Sequence, residues 1–193
     1  MAAASVESRE APQAGGPGPL SDERLARFEQ AVLPHLGAAY NLARWLTRDA
    51  HDADDVVQEA YLRAYQFFDA FHGGDGRAWL LRIVRNTCYT WLGKNRPRQP
   101  PTAFDETRHS AAVPSAGAEA PLVASEEGEL LRRALAELPE EFREAIVLRE
   151  LEGLSYREIA AVTGAPLGTV MSRLARARER LQEGLARRRP EEH

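Results

Sequence analysis

Apolar residues recur every three or four positions over two stretches, residues 22–96 and 126–188, and no run alternates β-branched with polar residues between hairpin turns. The pattern predicts an all-α fold of two small helical domains. In the first stretch Leu25, Phe28 and Val32 form the stripe of a helix with Ser21 as its N-cap. Pro34 should interrupt it, and a further helix follows through Leu36, Tyr40, Ala43 and Leu46. Asp52 or Asp54 is expected to start the next, with Val56, Val57, Ala60, Leu62 and Ala64 as its core and acidic residues near its positive dipole end. Beyond "HGGDG" a last helix divides cleanly at 100° per residue. Leu80, Ile83, Val84, Thr87, Cys88 and Trp91 share one face, Arg82, Arg85, Asn86 and Tyr89 the other, and Trp79 lies at the border.

Signals in the second stretch are more specific. "LRRALAELPEEFREAIVLRELEG" predicts two supporting helices broken at Leu138 and Pro139. Ser155 and Glu158 have the spacing of a capping box, with Leu154 and Ile159 as its hydrophobic staple. The helix they start should end near Val162, because Gly164 supplies the left-handed residue wanted there. Pro166 restarts a helix whose buried stripe is Val170, Leu174, Ala177 and Leu181. Two helices around a glycine turn, the second rich in arginine, make a helix-turn-helix. Its outward arc holds Gly168, Thr169, Ser172 and Arg176, flanked by Met171 and Arg173. Residues near the start of such an arc reach base edges, and arginines further along meet phosphate.

Between and before these stretches the composition changes. Residues 1–20, rich in Ala, Gly and Pro, offer little apolar surface to offset the entropy of ordering, and a disordered tail is expected. Residues 97–125, rich in Pro and Ala, are expected to be a flexible linker. A coil of that length has a typical span of roughly 30 Å, comparable to one turn of duplex DNA.

With 28% charged and 44% hydrophobic residues in 193, the chain has the balance of a soluble globular protein. No apolar run reaches the roughly 20 residues of a spanning helix, and the N-terminus lacks the basic and apolar regions of a signal peptide. A cytoplasmic protein without membrane insertion is expected, with no sensory domain after "LARRRPEEH". Cys88 is alone and the five histidines are scattered, so neither a disulfide nor a metal site is expected. On an apolar face, Cys88 reads as a small core residue rather than a redox sensor.

The formal net charge of -4 hides strong segregation. Asp49 to Glu59 holds five acidic residues and no cation; Arg77 to Arg98 holds six cations and no acid; Met171 to Arg189 holds seven Arg against two Glu. Enzymatic readings fail on this sequence. "HGG" resembles an oxyanion-hole loop, but no Gly-x-Ser-x-Gly elbow accompanies it. Asp52, Asp54, Asp55 and Glu59 crowd one helix start without the further ligands of a magnesium nuclease. No catalytic residue and no cofactor are expected.

Three segments, in order around the proline-rich stretch, carry a resemblance: "DAHDADDVVQEAYLRAY", "AWLLRIVRNTCYTWLGKNR" and "LPEEFREAIVLRELEGLSYREIAAVTGAPLGTVMSRLARARERL". Together they resemble a bacterial RNA polymerase sigma factor of the extracytoplasmic-function class, within the sigma-70 family. The resemblance implies a region 2 bundle over 21–96 that binds core RNA polymerase and recognises and opens the -10 element. It also implies a region 4 helix-turn-helix over 126–188 that reads the -35 element. By the same resemblance Asp52, Asp54, Asp55, Gln58, Glu59 and Arg63 meet the polymerase, although the aspartates equally serve to cap a helix. His72, Asp75, Arg77, Trp79, Arg82, Arg85 and Asn86 fall where the family holds the -10 strand, with Trp79 either stacking on DNA or packing in the core. Arg157, Gly168, Thr169, Met171, Ser172, Arg173 and Arg176 fall at the -35 element. Met171 departs from the polar residue usual there and either meets a thymine methyl or shields the helix flank; Arg157 either touches phosphate or is a solvated surface residue. Promoter DNA, core polymerase and an anti-sigma factor are the implied partners. The rival reading is an operator-binding regulator whose N-terminal half senses a ligand or partner.

Overall fold

The computed structural model describes residues 19–95 and 126–187. The expected tail, apart from its last two residues, and the expected linker lie outside the described residues, as does Arg188. Eight α-helices are described: α1 (Pro19–Val32), α2 (Leu36–Thr47), α3 (Ala50–Gln66), α4 (Gly76–Asn95), α5 (Glu126–Glu137), α6 (Glu140–Ile146), α7 (Tyr156–Thr163) and α8 (Leu167–Ala186). No strand occurs among the described residues.

Helices α1 to α4 form the first domain. Pro34 sits within a single 3-10 turn, Leu33–His35, between α1 and α2. α2 ends on Arg48, whose left-handed backbone (φ 66°) donates its N–H to the Arg44 carbonyl at 3.0 Å. The chain then extends at Asp49, and it is Asp49, not Asp52 or Asp54, that caps α3 by accepting from the N–H groups of His51 and Asp52. The reason is geometric: only a residue outside the helix has the extended backbone that turns a carboxylate back onto the first free donors. α1 begins at Pro19, so Ser21 lies inside the helix and does not precede it.

Buried Val32, Leu42, Leu46, Val56, Ala60, Leu80, Val84 and Cys88 fill the centre of this domain. An aromatic cluster closes one end, where Phe28 meets Tyr65 and Phe68 edge-on at 5.2 and 5.3 Å. Three expected core residues are instead exposed: Leu25, Leu36 and Leu62. Leu62 is 65% exposed, because Val56, Ala60 and Ala64 define the buried arc of α3 and Leu62 falls outside it.

The second domain packs α5, α6 and the α7–α8 pair around Leu135, Ile146, Leu148, Ile159 and Leu174. α6 continues into one wide π-helical turn, Val147–Leu151, before the capping box. Both reciprocal bonds of that box form: the Glu158 N–H donates to Ser155 Oγ at 3.3 Å, and the Ser155 N–H donates to the Glu158 carboxylate at 2.6 Å. Gly164 is left-handed (φ 70°) and ends α7 as expected.

The two domains touch. Their buried residues form one continuous apolar cluster from Phe28 to Ala177. α7 lies against α4, and α6 against α2.

Candidate nucleic-acid and polymerase interfaces

α8 presents its predicted arc to solvent. Gly168, Met171, Ser172 and Arg176 are exposed, while Thr169 and Arg173 are half-buried. The Ser172 hydroxyl donates to the Thr169 carbonyl at 3.0 Å, which keeps it close to the helix surface. Met171 is 52% exposed. Arg176 and Arg157 are exposed and have no acidic partner among the described residues. Farther along α8, Arg178 is paired with Glu150 at 2.7 Å and Arg180 lies over the Phe142 ring at 5.0 Å. The basic character of α8 is thus divided: its first half faces outward, and its second half is partly spent on its own domain.

α4 has three faces, not two. Leu80, Val84, Thr87 and Cys88 enter the first domain's core, and Arg82, Asn86 and Thr90 face solvent. The third stripe, Arg77, Leu81, Arg85 and Tyr89, repeats every four residues and faces the second domain. Leu81 is fully buried, although the amphipathic pattern left it off the core face. Arg77 Nη2 donates to Glu152 Oε2 at 2.6 Å, and Asn41 Nδ2 donates to the other oxygen at 3.2 Å. Arg85 Nε donates to Glu144 Oε1 at 2.6 Å, with Nη2 3.5 Å from Oε2. The Arg85 guanidinium also lies over the Tyr89 ring at 4.6 Å. Glu144 and Glu152 are 1% and 5% exposed, against 20% for Arg85 and 32% for Arg77. Burial pushes the Glu144 carboxyl above its ordinary range, a shift opposed by Arg85, Arg173 and Tyr89. The expected polar face of α4 is therefore only partly open, for a reason outside its own domain.

Before α4 runs the loop of His72 to Asp75. Gly73 and Gly74 take φ of 89° and 100°, which side chains rarely tolerate. Asp75 Oδ1 accepts the N–H groups of Arg77 and Ala78 at 2.9 and 3.3 Å and so caps α4. Its carboxylate thus has a structural task. His72 Nδ1 donates to the Ala70 carbonyl at 2.8 Å. Trp79 is half-buried and tilts against Phe71, ring centres 5.0 Å apart. A cleft of about 280 Å³ lies beside this loop, lined by Arg27, Gln30, Ala31, Phe68, Phe71 and Gly73. Its cation, Arg27, and its side-chain amide, Gln30, come from α1, which sequence reasoning did not connect with the loop. Gly76 makes that approach possible: a Cβ there would sit 2.5 Å from the Ala31 carbonyl oxygen. Burial pushes the Cys88 thiol up to about 12, which removes the thiolate a redox sensor needs.

On α3, Asp54, Asp55, Gln58 and Glu59 are exposed, Asp52 is half-buried in the first turn, and Arg63 pairs with Glu59 one turn on. They surround exposed Leu62, with Phe67 62% exposed just past the helix end. An acidic surface with an apolar centre suits a basic protein partner better than DNA.

Comparison with known proteins bears on these surfaces. Residues 31–98 match the family Sigma-70 region 2, and residues 128–181 match Sigma-70, region 4. The chain is 41% identical over 169 residues to the ECF RNA polymerase sigma-E factor of Escherichia coli K12, covering 81% of this chain and 88% of that one. It belongs to the extracytoplasmic-function sigma factors. Among solved structures, the sigma factor RpoE in complex with the anti-sigma factor NepR from Bartonella quintana is similar with a TM-score of 0.64 and 31% identity, covering 84% of this chain and 99% of that one. CnrH in complex with the cytosolic domain of CnrY is similar with a TM-score of 0.60 and 29% identity, over 85% and 90% of the two chains. This sigma factor is a transcription initiation factor that directs RNA polymerase to promoters; the operator-binding alternative is not favoured. No described helix is long and apolar enough to cross a membrane.

Proposed function

We propose that this sigma factor divides its work among three surfaces. The acidic face of α3, with Asp52, Asp54, Asp55, Gln58, Glu59 and Arg63 around Leu62, docks on core polymerase. The outward arc of α8, with Arg157 at the start of α7, reads the -35 element. The loop and helix from His72 to Asn86 hold and open the -10 strand. The observation that carries this reading is the helix-turn-helix: a fully formed capping box and a left-handed Gly164 aim the start of α8 outward, with Gly168, Met171, Ser172 and Arg176 exposed. Support for the -10 assignment comes from the cleft beside the glycine loop, where an unstacked base has both aromatic rings and an arginine within reach.

The protein supplies recognition and no chemistry of its own, and it acts in the cytoplasm beside polymerase. The similar sigma factor of Bartonella is complexed with an anti-sigma factor, and we assign a regulator of that kind to this chain as well. Linking two readers raises the effective concentration of each, so either domain alone should bind promoter DNA poorly. Run-off transcription with core polymerase and this protein, followed by mapping of start sites, tests the reading. Arg82→Ala or Asn86→Ala should impair promoter opening more than polymerase binding, and Asp55→Ala or Glu59→Ala the reverse. Tight binding of the protein alone to a palindromic operator, with no transcription, would overturn it.

A further inference from the structure

We propose that α8 carries two reading stripes, and that the apolar one, Leu167, Met171 and Ala175, selects the -35 element by packing on thymine methyl groups. The inference rests on the reading that the outward arc of α8 faces that element. The three residues stand four positions apart, so they align along one side of the helix, and all three are exposed, Leu167 by 43% and Met171 by 52%. Beside them, with the same spacing, run Gly168, Ser172 and Arg176, also exposed. Val170, Leu174 and Ala177 make the buried side of α8, so the domain's core does not call on the apolar stripe.

An apolar row beside a polar row fits a ligand with the same division. The major groove has it: every base edge offers hydrogen-bond donors or acceptors, and thymine alone adds a methyl group. Gly168 has no side chain, and the Ser172 hydroxyl is held down by its bond to the Thr169 carbonyl, so the polar row stands low at its start. Leu167 and Met171 stand higher and meet a base edge first. The unbranched thioether of Met171 adapts its shape to a methyl group more readily than a branched side chain does. A protein partner is a poorer match, because a stripe one side chain wide falls far short of the roughly 800 Å² that a stable interface covers on each side. Selection by methyl contact is also mild, since losing a methyl leaves no polar group unpaired. Each contacted methyl is worth about fourfold in affinity.

The test uses holoenzyme assembled from core polymerase and the full chain, with promoter duplexes defined by the mapped start sites. Replacing every thymine of the -35 element by deoxyuridine removes the methyl groups and keeps the O4 acceptor and the base pair. At one fixed salt concentration the parent holoenzyme is expected to bind the deoxyuridine duplex about fourfold more weakly for each contacted methyl. Leu167→Ala and Met171→Ala should each reduce that ratio, and the double variant should bring it to about one. Met171→Leu keeps the apolar surface and should keep the ratio, while Arg176→Ala should weaken both duplexes alike. All three side chains are exposed, and circular dichroism checks that helicity is unchanged. Equal binding of the two duplexes by the parent, or a ratio that persists in the double variant, overturns the methyl stripe. The -35 assignment is judged separately, by scrambling the element. If scrambling weakens binding while deoxyuridine does not, α8 reads the element through hydrogen bonds alone; if scrambling is silent as well, the -35 assignment itself falls.

Discussion

The two arginine-bearing helices of this sigma factor differ in what covers them. α8 turns Met171, Ser172 and Arg176 to solvent, whereas α4 turns Arg77 and Arg85 into carboxylates of the other domain. Both helices have an apolar stripe and a basic arc, so amphipathicity alone treats them alike. Their difference lies in partners distant in sequence: Arg85 and Glu144 are 59 residues apart, and Arg77 and Glu152 are 75 apart. A polar arc excluded from its own domain's core is therefore not the same as a free one.

The largest expected effect is a contrast within α4. Arg85→Ala removes the cation from a buried carboxylate and should cost about 3 kcal/mol. Arg82→Ala, on the exposed stripe three residues away, should change stability by less than about 0.5 kcal/mol. Urea denaturation of the two variants side by side decides it; equal losses would mean that the covered and open stripes are not energetically distinct.

On the open helix the same truncation should act on DNA, not on stability. Arg176→Ala is expected to weaken binding of the polymerase holoenzyme to promoter DNA about fivefold and to lower the salt slope by about one, as loss of one phosphate contact does. Met171→Lys should do the opposite, steepening the slope by about one, because a cation is added on an exposed flank. Titrations at several salt concentrations read both. A stability change at Arg176 as large as that at Arg85 would erase the comparison.

The legible part of this fold follows the range of the signals. Ser155, Glu158, Gly164 and Pro166 lie within one segment of twelve residues, and the helix-turn-helix is readable from them almost to the residue. The start of α3 was misread because Arg48, not a glycine, takes the left-handed turn that makes Asp49 the cap. Leu62 lies outside the core and Leu81 inside it for different reasons: the buried face of α3 is narrower than its run of apolar residues suggests, and α4 meets a second domain. The cleft beside the glycine loop was only half visible. Its loop carries the glycine signal, but Arg27 and Gln30 arrive from α1, across a contact that Gly76 permits.

A smaller effect joins both helices through α7, which begins the helix-turn-helix and packs on α4. Ser155→Ala removes the cap bond to the Glu158 N–H and should cost about 1 kcal/mol of stability. It should loosen the helix-turn-helix and its packing on α4 together, so a calorimetric loss without any change in promoter binding would show that α7 is rigid without its cap.

The smallest effect is in acid. The Ser155 hydroxyl and backbone N–H hold the Glu158 carboxyl below its ordinary value of 4.5. A carboxyl depressed in the folded state stabilises above its unfolded value, and that stabilisation is lost as pH falls through the lowered folded value. The capping contribution should thus be intact at neutral pH and fade only below about pH 4.5. Glu158→Gln retains an acceptor for the Ser155 N–H but has nothing to titrate. Its stability, followed by urea denaturation from pH 6 to pH 3, should fall less steeply over the acid limb than that of the parent chain. Arg77 and Asp75 also bear on the Glu158 carboxyl, across the domain boundary. If the domains part at low pH, only the share from Arg77 and Asp75 is lost and the Ser155 share remains, so the difference between the two chains narrows without vanishing.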